Sequence, residues 1–117
     1  MKKIILITML MSAVFAQSDC NKNNWRVYYN SDGKDMSDCD LRWASLSSEN
    51  LTDADLTGAN LSGRTLEYAN LTGANLTRAD LGRATVEGAN LTGAKLTFVN
   101  LTDAILDGVQ SDNISGL

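Results

Sequence analysis

At 117 residues the chain has room for one small domain and not for two. It carries 14 acidic against 10 basic side chains, a formal charge of −4 that does not invite nucleic acid or an anionic membrane surface. It has no histidine, no Cys-His or Ser-His constellation, no clustered metal ligands and no phosphate loop, so neither an enzyme nor a cofactor- or metal-binding protein is expected.

The first element is not part of the domain. Lys2 and Lys3 precede an apolar run, Ile4 to Phe15, that closes in Val14-Phe15-Ala16. Residues 1–16 are therefore expected to be a secretory signal, which places the chain outside the cytoplasm, in the periplasm or beyond it in a bacterium. The run is short for a bilayer span, and Gln17-Ser18-Asp19 before Cys20 is no lipobox, so no stable membrane anchor is expected after cleavage. Losing residues 1–16 removes two lysines and no acid, taking the formal charge from −4 to −6. Cys20 and Cys39 both remain, and two cysteines in an exported chain favour one disulfide.

Residues 17–38 read as an N-terminal cap. Trp25, Val27 and Tyr29 alternate as in a strand, and Asn30-Ser31-Asp32-Gly33 reads as a turn. Asp32, Asp35, Asp38 and Asp40 crowd this stretch. Placing Gly33 at the glycine of a calcium-binding loop would make Tyr28 and Cys39 its end ligands, so calcium is not expected.

From Cys39 to Gly108 the chain runs as fourteen five-residue units: CDLRW ASLSS ENLTD ADLTG ANLSG RTLEY ANLTG ANLTR ADLGR ATVEG ANLTG AKLTF VNLTD AILDG. Leucine holds the central place from Leu41 to Leu106, with Val86 the single substitute, and alanine mostly stands two places earlier. A period of five fits neither a strand nor a helix. Two apolar residues two apart can share one side of a short extended segment, leaving three for the polar side and a turn. Repetition of that unit gives a solenoid.

The run resembles the pentapeptide-repeat proteins, whose pattern is Ala-(Asp/Asn)-Leu-x-x. The resemblance implies an all-β fold, a right-handed quadrilateral β-helix with four repeats to a coil, hence about 3.5 coils over residues 39–109 and a C-terminal tail at 110–117. Residues twenty apart then stack. Asn50, Asn70 and Asn90 form one column, expected to hydrogen-bond as an amide ladder, with Thr52, Thr72 and Thr92 beside it. The glycines at 58, 63, 73, 88, 93 and 108 fall at corners. Glu49 and Arg64 stand where alanine is expected and either meet as a pair or turn outward, with local distortion favoured.

Several features stand out from the repeat. Glu67, Glu87 and Asp107 share one column below Ser47, a stack of like charges that a solvated face tolerates. Tyr68 and Phe98 interrupt corner glycines and, with Arg78, Arg83 and Lys95, form the candidate contact surface. Arg78 beneath Phe98 allows a cation–π pair. The Asn-Leu-Thr and Asn-Leu-Ser triplets match glycosylation sequons, but the repeat itself generates them. After Val109 the period lapses, and the tail either crosses the last coil or leaves an end that pairs with another molecule, a homodimer being one such arrangement.

The leading expectation is an exported, non-catalytic, rigid structural or protein-interaction module whose partner is another protein. The resemblance adds an acidic rod that mimics DNA and protects DNA gyrase. Regular Thr and Asn columns add a third reading, binding to a lattice such as ice or glycan.

Overall fold

The structure, a computed structural model, describes residues 20–117; the expected signal segment 1–16 lies outside them. Parallel backbone pairs join residues twenty apart: Asn50 with Asn70 and Asn70 with Asn90, Asp55 with Asn75 and then Lys95, Thr65 with Thr85 and then Ile105. Twenty residues are four pentads, so each coil has four sides. The first side is centred on Leu41, Leu61, Leu81 and Leu101, and the second on Leu46, Leu66, Val86 and Leu106. The third is centred on Leu51, Leu71, Leu91 and Ser111, and the fourth on Met36, Leu56, Leu76 and Leu96. Each straight segment is so short that the sides are built of single bridges rather than long strands.

One repeat shows how the pentad makes this shape. Leu71 N–H donates to the Asn90 carbonyl at 2.8 Å, Gly73 N–H to the Thr92 carbonyl at 2.8 Å, and Asn70 N–H to the Glu49 carbonyl at 2.9 Å. These bonds tie the coil to those on either side of it. Ala74 N–H then closes a turn onto the Leu71 carbonyl at 3.0 Å. The third residue of that turn, Gly73, has φ +69°, the left-handed conformation that a type II turn requires and that glycine adopts without penalty. Between corners, leucine and alanine point inward. From Leu41 to Leu96 every central residue is buried, and each such side chain contributes about 2 kcal/mol of hydrophobic stabilisation.

The outward Asn and Thr do not form the expected amide ladder. Asn70 Oδ1 accepts hydrogen bonds from the backbone N–H of Thr72 at 3.0 Å and from its hydroxyl at 2.6 Å. Asn50 with Thr52 and Asn75 with Thr77 repeat the arrangement. The two-residue spacing lets the side chain stabilise the turn it precedes, as Asn and Asp do in Asx-turns. Stacking is real, but the side-chain oxygen is spent inside its own repeat. One amide does reach the preceding coil, Asn100 Nδ2 donating to Asp80 Oδ1 at 2.9 Å.

The coil is longer than the leucine run. Met36 takes a leucine place, fully buried, and donates its N–H to the Asp55 carbonyl at 2.7 Å. Asp35 Oδ1 accepts from Ser37 as the asparagines do from threonine. The regular coil therefore starts at Asp35, not Cys39. At the other end Gln110 pairs with Asn90 and Ser115 with Lys95. Residues 110–117 are thus not a tail laid across the last coil but its continuation, with Val109 and Ile114 in alanine places. Asp35 and Ser115 lie eighty positions apart, or four coils of twenty, rather than 3.5.

The cap differs from expectation in kind. Trp25–Tyr29 is one short helix, α1, not a strand. Helical spacing brings Trp25 to the same side as Tyr28 and Tyr29, and these three meet the core while Val27 faces outward. Residues 30–33 form the expected turn. The disulfide joins Cys20 and Cys39, both fully buried.

Candidate interaction surfaces

The corners carry what the repeat does not dictate. Between the fourth and first sides stand Asp38, Gly58, Arg78 and Phe98; between the first and second, Trp43, Gly63, Arg83 and Asp103. Between the second and third stand Ser48, Tyr68, Gly88 and Gly108. Tyr68 (φ 59°), Arg78 (φ 61°), Arg83 (φ 57°) and Phe98 (φ 55°) all keep the left-handed backbone of the glycines they replace. For a side chain with a Cβ this conformation costs roughly 1–2 kcal/mol. The two aromatic rings gain little burial in return, Tyr68 being 64% and Phe98 78% exposed.

This geometry divides the candidate contact surface. Tyr68 and Phe98 lie on diagonally opposite corners, so no flat partner touches both. Arg78 and Arg83 flank the first side, whereas Lys95 lies on the fourth. Among the described residues the cation–π contacts are Arg26 with Trp25, Lys34 with Tyr29 and Arg64 with Trp43, so the Arg78–Phe98 pair does not form. Tyr68 instead lies along its column over Gly88. A Cβ at Gly88 would stand 2.6 Å from the Tyr68 ring, so glycine is needed there for space as well as for its φ of +67°.

Glu49 and Arg64 do not meet. Glu49 turns to the cap and pairs with Arg26. Arg64 turns toward the exposed Trp43, its guanidinium 5.0 Å from the ring centre, and its Nε is buried without a hydrogen-bond partner. Trp43, 68% exposed, is a site that sequence reasoning missed. It occupies the same corner slot as Tyr68 and Phe98, and that shared slot was the available signal.

Glu67, Glu87 and Asp107 do fall in one column on the second side, since Thr65, Thr85 and Ile105 beside them pair in succession. Ser47 above them donates to the Thr65 carbonyl at 3.2 Å. On the first side Gly82 stands where the neighbouring coils have Ser62 and Thr102, opening a groove of about 450 Å³ beside Asp80 and Arg83. Asp40, also on the first side, titrates below its ordinary range. The Arg42 side chain, hydrogen-bonded to it at 2.9 and 2.8 Å, holds its carboxyl below the usual range. No group of three or more His, Cys, Asp or Glu suited to a metal occurs among the described residues. Nor is any helix there long and apolar enough to cross a membrane.

The profile of pentapeptide repeats matches residues 35–67 and 69–108, with 8 copies. The chain belongs to the pentapeptide-repeat family. The match begins at Asp35, where the backbone pairing of the coil also begins. No curated protein matches the chain. Among solved structures it is similar to a pentapeptide repeat protein of Nostoc Pcc 7120, with 33% identity over 77% of this chain and 75% of that one and a TM-score of 0.72. It is also similar to a pentapeptide repeat protein of the Arabidopsis thaliana thylakoid lumen, with 31% identity over 89% of this chain, 61% of that one and a TM-score of 0.58. As a pentapeptide-repeat protein it shares the family's architecture, a right-handed quadrilateral β-helix.

Proposed function

We propose that this protein is an exported, non-catalytic rod whose corner side chains engage a protein partner. Removal of residues 1–16 would deliver it to the periplasm or the extracellular space. The observation that carries the reading is the pair of exposed aromatic rings, Tyr68 and Phe98, on left-handed backbone. Strain retained without compensating burial is characteristic of functional positions, and exposed aromatics are favoured anchors at protein interfaces. Because the two rings lie on opposite corners, each defines its own contact edge.

The other two readings draw less support. A DNA-like rod needs an unbroken acidic surface, whereas Arg78 and Arg83 flank the first side and Lys95 lies on the fourth, among the acids. Lattice binding needs hydroxyls free to meet the lattice, whereas Thr52, Thr72 and Thr77 donate theirs to asparagine oxygens at 2.6 Å.

The test is Phe98→Gly and Tyr68→Gly, each compared with wild type in capture from an envelope extract and in thermal unfolding. Glycine relieves the backbone, so each variant gains about 1 kcal/mol of stability while capture falls. If the wild type captures nothing specific, or the glycine variants capture as well as it does, the reading is wrong.

A further inference from the structure

Two departures from the repeat fall on one corner of the coil, that of Trp43, Gly63, Arg83 and Asp103. The first is a break in the backbone ladder. Gly63 N–H donates to the Gly82 carbonyl at 2.8 Å, Leu66 N–H to the Thr85 carbonyl at 2.7 Å and Thr85 N–H to the Arg64 carbonyl at 2.8 Å. One coil earlier the equivalent N–H groups, of Trp43, Leu46 and Thr65, find no such carbonyl among the described residues, and Ser45 does not pair with Thr65. The ladder closes again at Ser48, whose N–H meets the Glu67 carbonyl at 2.9 Å. The break coincides with Arg64 in an alanine place, its Nε buried without a partner and its guanidinium beside the exposed Trp43 ring.

The second departure is Gly82. Its place, just after the central residue, holds a polar side chain in the other pentads. Its φ is not left-handed, so the turn does not demand glycine there. The missing side chain leaves the groove of about 450 Å³, which reaches Gly63, Arg83 and Asp103 at the corner and is bounded along the axis by the coils of Leu61 and Leu101. Asp80 Oδ1 accepts both the Gly82 N–H and the Asn100 amide at 2.9 Å. Among the described residues, Asp80 Oδ2 and the Arg83 guanidinium have no hydrogen-bond or ion-pair partner.

We propose that this corner binds a short neutral oligosaccharide, with one ring against Trp43 and the following rings in the groove floored by Gly82. The flat face of an indole suits the C–H face of a sugar ring. Sugar hydroxyls both donate and accept, which matches a free carboxylate oxygen on Asp80 and free guanidinium donors on Arg83. Trp43 and Gly82 lie about two coils apart, roughly 10 Å along the axis, so the occupant is longer than one ring. Asp80 and Asp103 offset Arg64 and Arg83, so no net charge selects an anion. The groove is lined by polar side chains and glycine, without an apolar pocket for a peptide side chain. Nor is the occupant a lattice: the recess admits one chain, and Ser62 and Thr102 beside it keep their hydroxyls on Asn60 and Asn100 at 2.7 Å. The site uses neither Tyr68 nor Phe98.

The experiment follows amide and indole NMR shifts of the wild-type protein as chitotriose, cellotriose or maltotriose is added, with trigalacturonate as an anionic control. At least one neutral trisaccharide is expected to shift Gly63, Gly82 and the Trp43 indole together, and to saturate. Gly82→Thr puts in the groove the residue that Thr102 supplies one coil on, and weakens binding by about tenfold or more. Trp43→Ala, at an exposed side chain and with an unchanged circular dichroism spectrum, weakens it as well, and decides the matter if Gly82→Thr does not fold. No shift with any of the three neutral sugars overturns the proposal. So does binding that neither substitution weakens. Binding of trigalacturonate alone also overturns it, assigning the corner to an anion held by the arginines. Phe98→Gly and Tyr68→Gly leave sugar binding unaltered, so this site can fail while the protein contacts stand, and the reverse.

Discussion

At its N-terminal end the coil is closed by α1, by the Cys20–Cys39 disulfide and by polar ties from the cap: Arg26 to Glu49, and the side chains of Tyr29 and Lys34 to the Thr52 carbonyl. At its C-terminal end none of these devices is repeated, and Ile105, Leu106 and Leu117 are exposed. The pentads between are nearly interchangeable. A repeat specifies how one coil sits on another, but residues outside its consensus decide where stacking stops and what is left over. In a solenoid each coil contacts only its neighbours, so a difference between the ends persists as a difference in local stability.

Core substitutions probe that difference with the largest effect. Leu66→Ala, in the fully buried middle of the second side, is expected to cost about 3 kcal/mol. Leu106→Ala, in the same column at the open end, is expected to cost less than about 1 kcal/mol, because partly exposed methyl groups are already in water. Urea denaturation midpoints compare the two, and equal losses would mean that the end is covered. Replacing both cysteines by serine comes next. A closed loop with a sequence separation of 19 contributes about 3 kcal/mol, lost from the covered end and accompanied by faster exchange of the amides near Met36 and Leu41.

The smallest effect concerns acid stability at the covered end. Asp40 is held below its ordinary range by Arg42. A carboxyl depressed in the folded state contributes stability that is present above its unfolded pKa and is lost as pH falls through the folded value. Arg42→Ala should therefore raise the Asp40 titration in NMR and remove a shallow part of the acid-side loss of stability. The pair is half-exposed, so the change at neutral pH is slight. An unmoved Asp40 titration would show that the ion pair does not persist in solution.

The repeat was legible because every unit makes the same demand. Leu51, Leu71 and Leu91 announce their column by spacing alone, and the corner positions follow once four units make a coil. Boundaries were harder. Met36 and Ser37 meet the physical demand of a pentad without its usual letters, and Ser111 and Gly116 hide a final coil whose alanine places, Val109 and Ile114, are apolar as before. In α1, a five-residue segment fits both periods: Trp25, Val27 and Tyr29 alternate, yet Trp25, Tyr28 and Tyr29 also share a helical face. The column positions of Glu67, Glu87 and Asp107 were readable, whereas the partners of Glu49 and Arg64 were not, because side chains of that length choose among several neighbours. The Asn-to-Thr bonds were encoded in a two-residue spacing that the stacking argument passed over.

Native-state hydrogen exchange tests the central claim most directly, since it reads the pairing of residues twenty apart amide by amide. The expected profile is high protection for the inter-coil amides of Leu51, Leu56, Leu61, Leu66 and Leu71, little loss toward Leu41 and Met36, and a steep fall beyond Leu96, with Leu101 and Leu106 exchanging fastest among the central residues. Uniform protection to the last coil, or fraying that begins at the disulfide-linked end, would contradict a stacked coil covered at one end and open at the other.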